Sequence, residues 1–316
     1  MSDKIHRIVL GGEGESRNKV IGLFKNIVYI IKLRNTIKHQ ETTTIVSFLT
    51  RSNIYIILAS IGLKKHVVVS ERNDTSRQVL SWPWALLRKK IYKHASVVTA
   101  NSKIAIENMA EYVPRVKLKF LPNPIILPDI KDLAKPSTSK IILNVARLSS
   151  HKNHLLLLEA IKIIKSLNSE WKVQILGDGE EHHNIINKAE KLGISDKIIL
   201  TGFVDNPSEY YKKAAMFVLP SLYEGTPNAL LEAMSFGLPC VVSDSLSGAL
   251  EILDHNESGL VFKNNDSLDL SEKINLLINN PDERNRLGNS ARGVVSNFTP
   301  EKIISKWESV LKADTI

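Results

Sequence analysis

The chain has one cysteine, Cys240, in 316 residues, which excludes an internal disulfide framework. Its setting, the apolar run LPCVVS, predicts a buried thiol. No apolar run approaches the ~18 residues that a membrane span needs. The N-terminus, MSDKIHRIVLGGEGES, lacks the apolar stretch of a secretory leader. These absences predict a cytoplasmic protein, with membrane contact only as a peripheral attachment to the inner face. Low-complexity tracts and internal repeats are missing too, and no identifiable nucleic-acid recognition motif accompanies the positive charge. Nucleic acid is therefore not an expected partner. With 43% hydrophobic residues, 316 residues can fill the cores of two α/β domains.

Charge is unevenly placed. Residues 1–136 hold 23 basic and 10 acidic side chains, net +13, whereas residues 137–316 hold 19 and 23, net −4. A strongly basic half beside a neutral-to-acidic one predicts an anionic contact for the basic half. A generally lysine-rich composition is the plainer account. The stretch KVIGLFKNIVYIIKLRNTIKH (19–39) is basic and apolar together, which suits a helix lying on an anionic membrane surface. Trp82 and Trp84, near Arg88, Lys89 and Lys90, form a candidate second anchor. A core helix is the alternative for 19–39.

Four prolines in LPNPIILPDIKDLAKPSTS (121–139) forbid a regular helix and predict an extended connector between domains. After it, short apolar runs alternate with amphipathic segments. Strands are predicted at 140–146, 171–177, 197–202, 216–221 and 239–244. Helices are predicted at 154–166, 180–193, 207–214 and 227–237. That alternation means a parallel, doubly wound sheet, which binds ligands at the carboxyl ends of its strands. The first half reads the same way more weakly, with strands at 43–49, 67–71, 96–101 and 117–123. Helices there fall at 87–94 and 104–112.

Three segments carry chemistry. ARLSSHKN (146–153) follows a strand and opens a helix, placing Arg147 and Lys152 at the binding edge. A forked guanidinium beside a compact ammonium suits two neighbouring phosphates, with solvated loop charges as the alternative. PSLYEGTPNALLEAM (220–234) places Glu224 after a strand, then Gly225, Thr226, Pro227 and Asn228 at a helix start, where free backbone N–H groups attract anions. Glu232 is a carboxylate among Ala229, Leu230, Leu231, Ala233 and Met234. It needs a partner, either a ribose diol or a structural donor. In GLPCVVSDSLSGALEIL (237–253), Ser247-Gly248 is expected to make a tight loop near the same crevice. GDGEE (177–181) is not a dinucleotide fingerprint, because position 182 is His; an ordinary glycine turn is expected.

Glu224 and Glu232 within PSLYEGTPNALLEAMSFGLPCVVSD resemble the double-Glu signature of glycosyltransferase family 4. ARLSSHKN resembles that family's phosphate-binding segment, LPNPI (121–125) its interdomain segment and FTPEKIISKWESVLKA (298–313) its last helix. The resemblance implies the α/β GT-B architecture: two Rossmann-like domains with parallel sheets facing across a cleft. Here they would be residues 1–130 and 137–298, with 299–316 packing back on the first. It implies a retaining transferase moving a sugar from a nucleoside-diphosphate donor, expected to be a UDP-sugar, to a glycan or lipid-linked acceptor of a surface polysaccharide. No metal or other cofactor is implied, and no Asp-x-Asp motif is present. By the same resemblance Arg147 and Lys152 bind the diphosphate, Glu224 the sugar hydroxyls and the backbone at 225–228 the sugar and phosphate. Glu232 binds the ribose, and Phe203 and Val204 flank the base. In the first domain SERNDTSR (70–77) falls where relatives place a sugar-contacting histidine, making Arg72 or Asn73 a candidate contact. The first domain is shorter than the family's by about one βαβ unit, with GGEGESRN (11–18) in place of its glycine-rich loop. A degenerate or truncated nucleotide-sugar-binding protein without its own activity is the competing expectation.

Overall fold

The structure, a computed structural model, describes residues 8–10, 19–72, 75, 78, 80–136, 138–164 and 170–312. The expected loop at 11–18 and Asn73 lie outside the described residues. The chain divides into two compact units, one from residues within 1–100, 105–120 and 306–316, the other from 101–104 and 121–305.

The first unit holds a four-stranded sheet of β1 (Thr44–Phe48), β2 (His66–Glu71), β3 (Val97–Ala100) and β4 (Leu118–Phe120), paired in that order and all parallel. β-Branched runs such as VVVSE make these strands, and Val67, Val69 and Val98 pack into the core with Ile54, Ile57 and Met109. In chain order the helices are α1 (Lys19–Lys38), α2 (Thr50–Ser60), α3 (Trp82–Ile91) and α4 (Lys103–Met109). α1 packs through Leu33 and Ile37 on Tyr55 and Ala59 of α2. Its other face leaves Ile21, Leu23, Phe24, Ile27 and Ile31 exposed. Trp82 is 76% exposed. Trp84 and Arg88, grouped with it from sequence, are placed otherwise. The Trp84 ring meets Tyr55 edge-on at 5.4 Å. Arg88 is buried, donating to Gln78 Oε1 and the Thr75 carbonyl at 3.0 Å each. Only Trp82, Lys89 and Lys90 of that group face solvent.

The second unit is a six-stranded parallel sheet of β5 (Ile141–Val145), β6 (Lys172–Leu176), β7 (Ile198–Gly202), β8 (Met216–Leu219), β9 (Cys240–Ser243) and β10 (Leu260–Phe262). Its order is β10-β9-β8-β5-β6-β7. Helices cover both faces: α5 (His154–Ile163), α6 (His182–Leu192), α7 (Ser208–Lys212), α8 (Asn228–Ser235), α9 (Ser247–Leu250), α10 (Ser267–Asn279) and α11 (Pro281–Val295); α12 (Pro300–Leu311) follows, its residues from Lys306 on belonging to the first unit. One core gathers Ile142, Leu157, Val173, Val218 and Val241, the other Leu143, Phe217, Leu219, Leu230 and Val242. Consecutive strand residues feed opposite cores, as a strand buried on both faces requires. Cys240 is fully buried, and burial pushes its thiol pKa up.

The connector belongs to the second unit from Leu121 onward. Ile125 donates its N–H to the Phe298 carbonyl at 2.8 Å and Ala134 to Phe236 at 3.0 Å, while Ile125 and Leu127 pack against the second core. The boundary therefore falls at Phe120 rather than at 130–137, because the connector's apolar side chains find their burial there. At the other end of the chain, α12 reaches the first sheet. The Leu311 carbonyl accepts from Thr44 Oγ1 at 3.1 Å, and the Trp307 and Phe48 rings lie 5.8 Å apart.

Candidate active site

In the second sheet the chain runs β5, β6, β7 toward one edge, then returns to lay β8 on the other side of β5. This reversal makes a topological switch point, where open α/β sheets leave a crevice beyond the carboxyl ends of the strands. Backbone pairing of β5 with β8 covers Ile142–Met216 and Leu143–Phe217. One residue on, the Asn144 side chain bridges instead, donating to the Val218 carbonyl at 2.8 Å. Its Oδ1 faces His154 Nε2 at 3.1 Å.

The loops after β5 and β8 close on each other across this point. Lys152 Nζ forms an ion pair with Glu224 Oε1, both side chains about 15% exposed. Ser221 Oγ donates to the same carboxylate oxygen at 2.9 Å. Leu222 donates its N–H to the His151 carbonyl at 2.8 Å, and the His151 and Tyr223 rings stack at 5.0 Å. Burial, with Lys152 adjoining, holds the His151 pKa below its ordinary value, favouring the neutral ring.

Arg147, one turn earlier, is exposed and has no side-chain partner among the described residues. It lines a cavity of about 490 Å³ with Val145, Gly177, Asp178, Phe203 and Val204, at the carboxyl ends of β5, β6 and β7. Phe203 presents its ring to solvent and Val204 is half-buried. The glycine turn GDGEE has a job its sequence understates. Gly177 and Gly179 sit at φ +136° and +156°, and a Cβ would lie 1.9 Å from the Ala146 carbonyl oxygen and 2.3 Å from that of Leu148. Their bareness lets the β6 loop lie directly against the Arg147 loop, joined by Leu148 N–H to Asp178 O at 2.9 Å.

On the β8 side, α8 starts at Asn228 after Pro227, which lacks a capping side chain; the Leu230 N–H donates to the Pro227 carbonyl at 3.1 Å, which leaves the N–H groups of Asn228 and Ala229 for an anion. The Thr226 hydroxyl donates to the Asn101 carbonyl, and Asn228 Oδ1 accepts from Asn123. Gly248 does not make the tight loop expected of it. It lies in α9, where a Cβ would come 2.1 Å from the Gly225 carbonyl oxygen, so it is the surface on which the 224–226 loop rests.

Glu232 is half-buried, and burial raises its pKa against the lowering effect of a hydrogen bond from Tyr211. Tyr211 Oη lies 2.9 Å from Glu232 Oε2. Sequence reasoning missed this partner, because a tyrosine 21 residues upstream on a five-residue helix gives no local signal.

Of the first unit's candidate contacts, Arg72 is described and sits at the carboxyl end of β2. The Arg72 guanidinium lies over the Phe48 and Trp307 rings at 5.3 and 5.4 Å. Beside it Glu71 is fully buried, with a carboxyl that burial raises above its ordinary pKa and that accepts from Thr50 Oγ1 at 3.0 Å and from the Tyr92 phenol.

The chain as a whole resembles known proteins. The family model "Glycosyl transferases group 1" matches residues 127–294. A Campylobacter jejuni α-1,4-N-acetyl-D-galactosaminyltransferase, named for a diNAcBac-PP-undecaprenol-linked acceptor, is 30% identical over 92% of this chain and 79% of its own length. The Escherichia coli UDP-Gal:α-D-GlcNAc-diphosphoundecaprenol α-1,3-galactosyltransferase is 25% identical over 94% of this chain and 79% of its own. Among solved structures, Anabaena Alr3699/HepE in complex with UDP superposes with a TM-score of 0.81 at 18% identity, covering 90% of this chain and 82% of that one.

Proposed function

The chain belongs to the glycosyl transferases group 1 and is a glycosyltransferase of polysaccharide or lipid-linked glycan biosynthesis; from that premise we propose that it moves a sugar from UDP to a lipid-linked glycan with retention of anomeric configuration and without a divalent metal. One observation carries the reading. Lys152 and Glu224 pair across the switch point, beside a cavity that Arg147, Phe203 and Val204 line. The base would lie against Phe203 and Val204, the ribose at Glu232 and the diphosphate between Arg147, Lys152 and the start of α8. An arriving diphosphate competes for the Lys152 ammonium and frees the Glu224 carboxylate to accept from the sugar hydroxyls. As the bond from the anomeric carbon to the phosphate oxygen breaks, negative charge grows on the departing UDP. On this reading Arg147 and Lys152 meet that charge.

The test is transfer onto a diphosphoundecaprenol-linked glycan from UDP-sugars, with the new anomeric centre read by proton NMR and the rate repeated in EDTA. The account expects retention and an unchanged rate. Inversion, or a rate abolished by EDTA and restored by a divalent ion, contradicts it.

A lipid-linked acceptor puts the work at a bilayer, and α1 has a surface for one. Leu23, Ile27 and Ile31 recur every fourth residue as one exposed ridge, with Phe24 beside it at 67% exposure. Lys25 and Lys32 run alongside, and the helix contains no acidic residue. We propose that this face docks on an anionic bilayer, the ridge at the acyl boundary and the lysines at the headgroups. Wild type should float with phosphatidylglycerol vesicles and be released by salt, and the Leu23→Glu/Ile27→Glu variant should not float. Equal recovery of both proteins, or self-association through this face in place of vesicle binding, contradicts the docking.

A further inference from the structure

Tyr211 stands behind the proposed ribose site, on an element whose other features do not explain it. α7 is a helix of five residues between β7 and β8. Tyr211 on it is 1% exposed. Its ring stacks on Phe236 with centroids 5.4 Å apart and planes at 17°, and tilts against Phe217 at 6.2 Å. The two rings fix both side-chain torsions, so the phenol oxygen occupies a set point. That point is 2.9 Å from Glu232 Oε2, whereas the Ala229 carbonyl lies at 3.4 Å. One phenol proton serves one acceptor, and the nearer, charged one wins.

For packing alone a phenylalanine would fill the place, since the ring's surroundings are Phe217, Phe236 and the second core. A buried hydroxyl costs desolvation unless it is used. Glu232, for its part, rides on three rotatable bonds on a helix whose neighbouring residues Leu230, Leu231, Ala233 and Met234 are all buried. Without a fixed donor its carboxylate would have to be ordered each time a ligand arrived. With Oε2 held by the phenol, Oε1 is left for an incoming donor, and the ordering is complete before binding.

We propose that Tyr211 is a positioning residue that holds Glu232 ready for a ribose diol, and so sets the site's preference for ribonucleotides over 2′-deoxyribonucleotides. This rests on the reading of Glu232 as the ribose acceptor. A phenol acting only in the core would stabilise the fold and leave that preference untouched.

The experiment is calorimetric titration of the full chain with UDP and with 2′-deoxy-UDP (or the guanosine pair, if GDP is the diphosphate that wild type binds). The proteins are wild type, Tyr211→Phe and Glu232→Gln. The ratio of the two affinities is the readout, because a sample weakened by partial unfolding loses both equally and keeps its ratio. Wild type should prefer the ribonucleotide. Tyr211→Phe should lose about tenfold in ribonucleotide affinity and little for the deoxy analogue, so that the ratio collapses. A wild-type ratio in Tyr211→Phe with a collapsed one in Glu232→Gln overturns the proposal and leaves Glu232 as the ribose acceptor. A wild-type ratio in both variants overturns that assignment as well, as does a wild type that binds neither UDP nor GDP.

Discussion

At the residue scale, the side chains that carry charge in the site differ from those that hold them there. Lys152 and Glu224 are part-buried and neutralise each other in the free site. Removing one leaves the other part-buried without its counter-charge, and removing Lys152 also deletes its proposed contact to the departing diphosphate. Lys152→Met should lower kcat by about a hundredfold, roughly 3 kcal/mol of barrier. Steady-state kinetics at saturating donor checks this, and a change confined to KM would assign Lys152 to ground-state binding alone. His154 has a quieter role. Buried at the start of α5 and bonded to Asn144, it has its pKa pushed down to about 4 by burial first and by Lys152 next. Its folded pKa lies below the unfolded one, so the native state resists protonation. Stability is therefore full above pH 6.5 and lost as pH falls from there toward 4. Between pH 7 and 4.5 the loss from this group is about 2 to 3 kcal/mol. Urea unfolding of His154→Gln at the two pH values should show a drop smaller by that amount, and equal drops would remove His154 from the account. Arg147, Lys152, Glu224 and Glu232 stand out in the sequence as candidates because each breaks a local pattern, a charge at a strand end or in an apolar helix. Tyr211 and the Asn144–His154 bridge do not, since their meaning lies in partners supplied by other elements.

At the scale of elements, glycine does the fitting. Gly177 and Gly179 seat the β6 loop under the Arg147 loop, and Gly248 seats α9 under the Gly225 loop. Gly248→Ala adds a methyl 2.1 Å from a carbonyl oxygen, so the 224–226 loop must move. A shift of that order at Glu224 should lower kcat/KM by about a hundredfold, with a stability loss of about 1–3 kcal/mol. Full activity in this variant would show that the loop adapts and that the close approach is incidental. The turn at 177–181 reads as ordinary from its sequence, because two glycines specify a conformation without saying what lies against it. The alternation of strands and helices from 140 to 244 was legible, since each strand is an apolar run and each helix keeps its period. Beyond 262 the pattern is just as readable in hindsight. Asp266 caps α10 and Asn280 caps α11, with Pro281 in its first turn. Those polar residues resemble loop punctuation until the helix behind them is counted.

At the scale of the molecule, the sequence divides its labour by charge. Residues 1–136 carry net +13, and among them α1 displays apolar side chains and lysines without one carboxylate. The second unit carries the switch point, the cavity and the ion pair on which the proposed donor site rests. Its two-sided sheet and parallel order were legible as a whole, whereas the boundary at Phe120 was not, because a proline-rich connector does not announce which unit its apolar residues will join. The central claim is that the carboxyl edge of this second sheet binds a nucleoside diphosphate through Arg147 and Lys152. Calorimetric titration of UDP and GDP into wild type and into the Arg147→Ala/Lys152→Met variant tests it most directly. The account predicts that wild type binds UDP in preference to GDP and that the double variant, still folded, loses at least about a hundredfold in UDP affinity. Equal UDP affinity in the two proteins, or no binding by wild type, would contradict it.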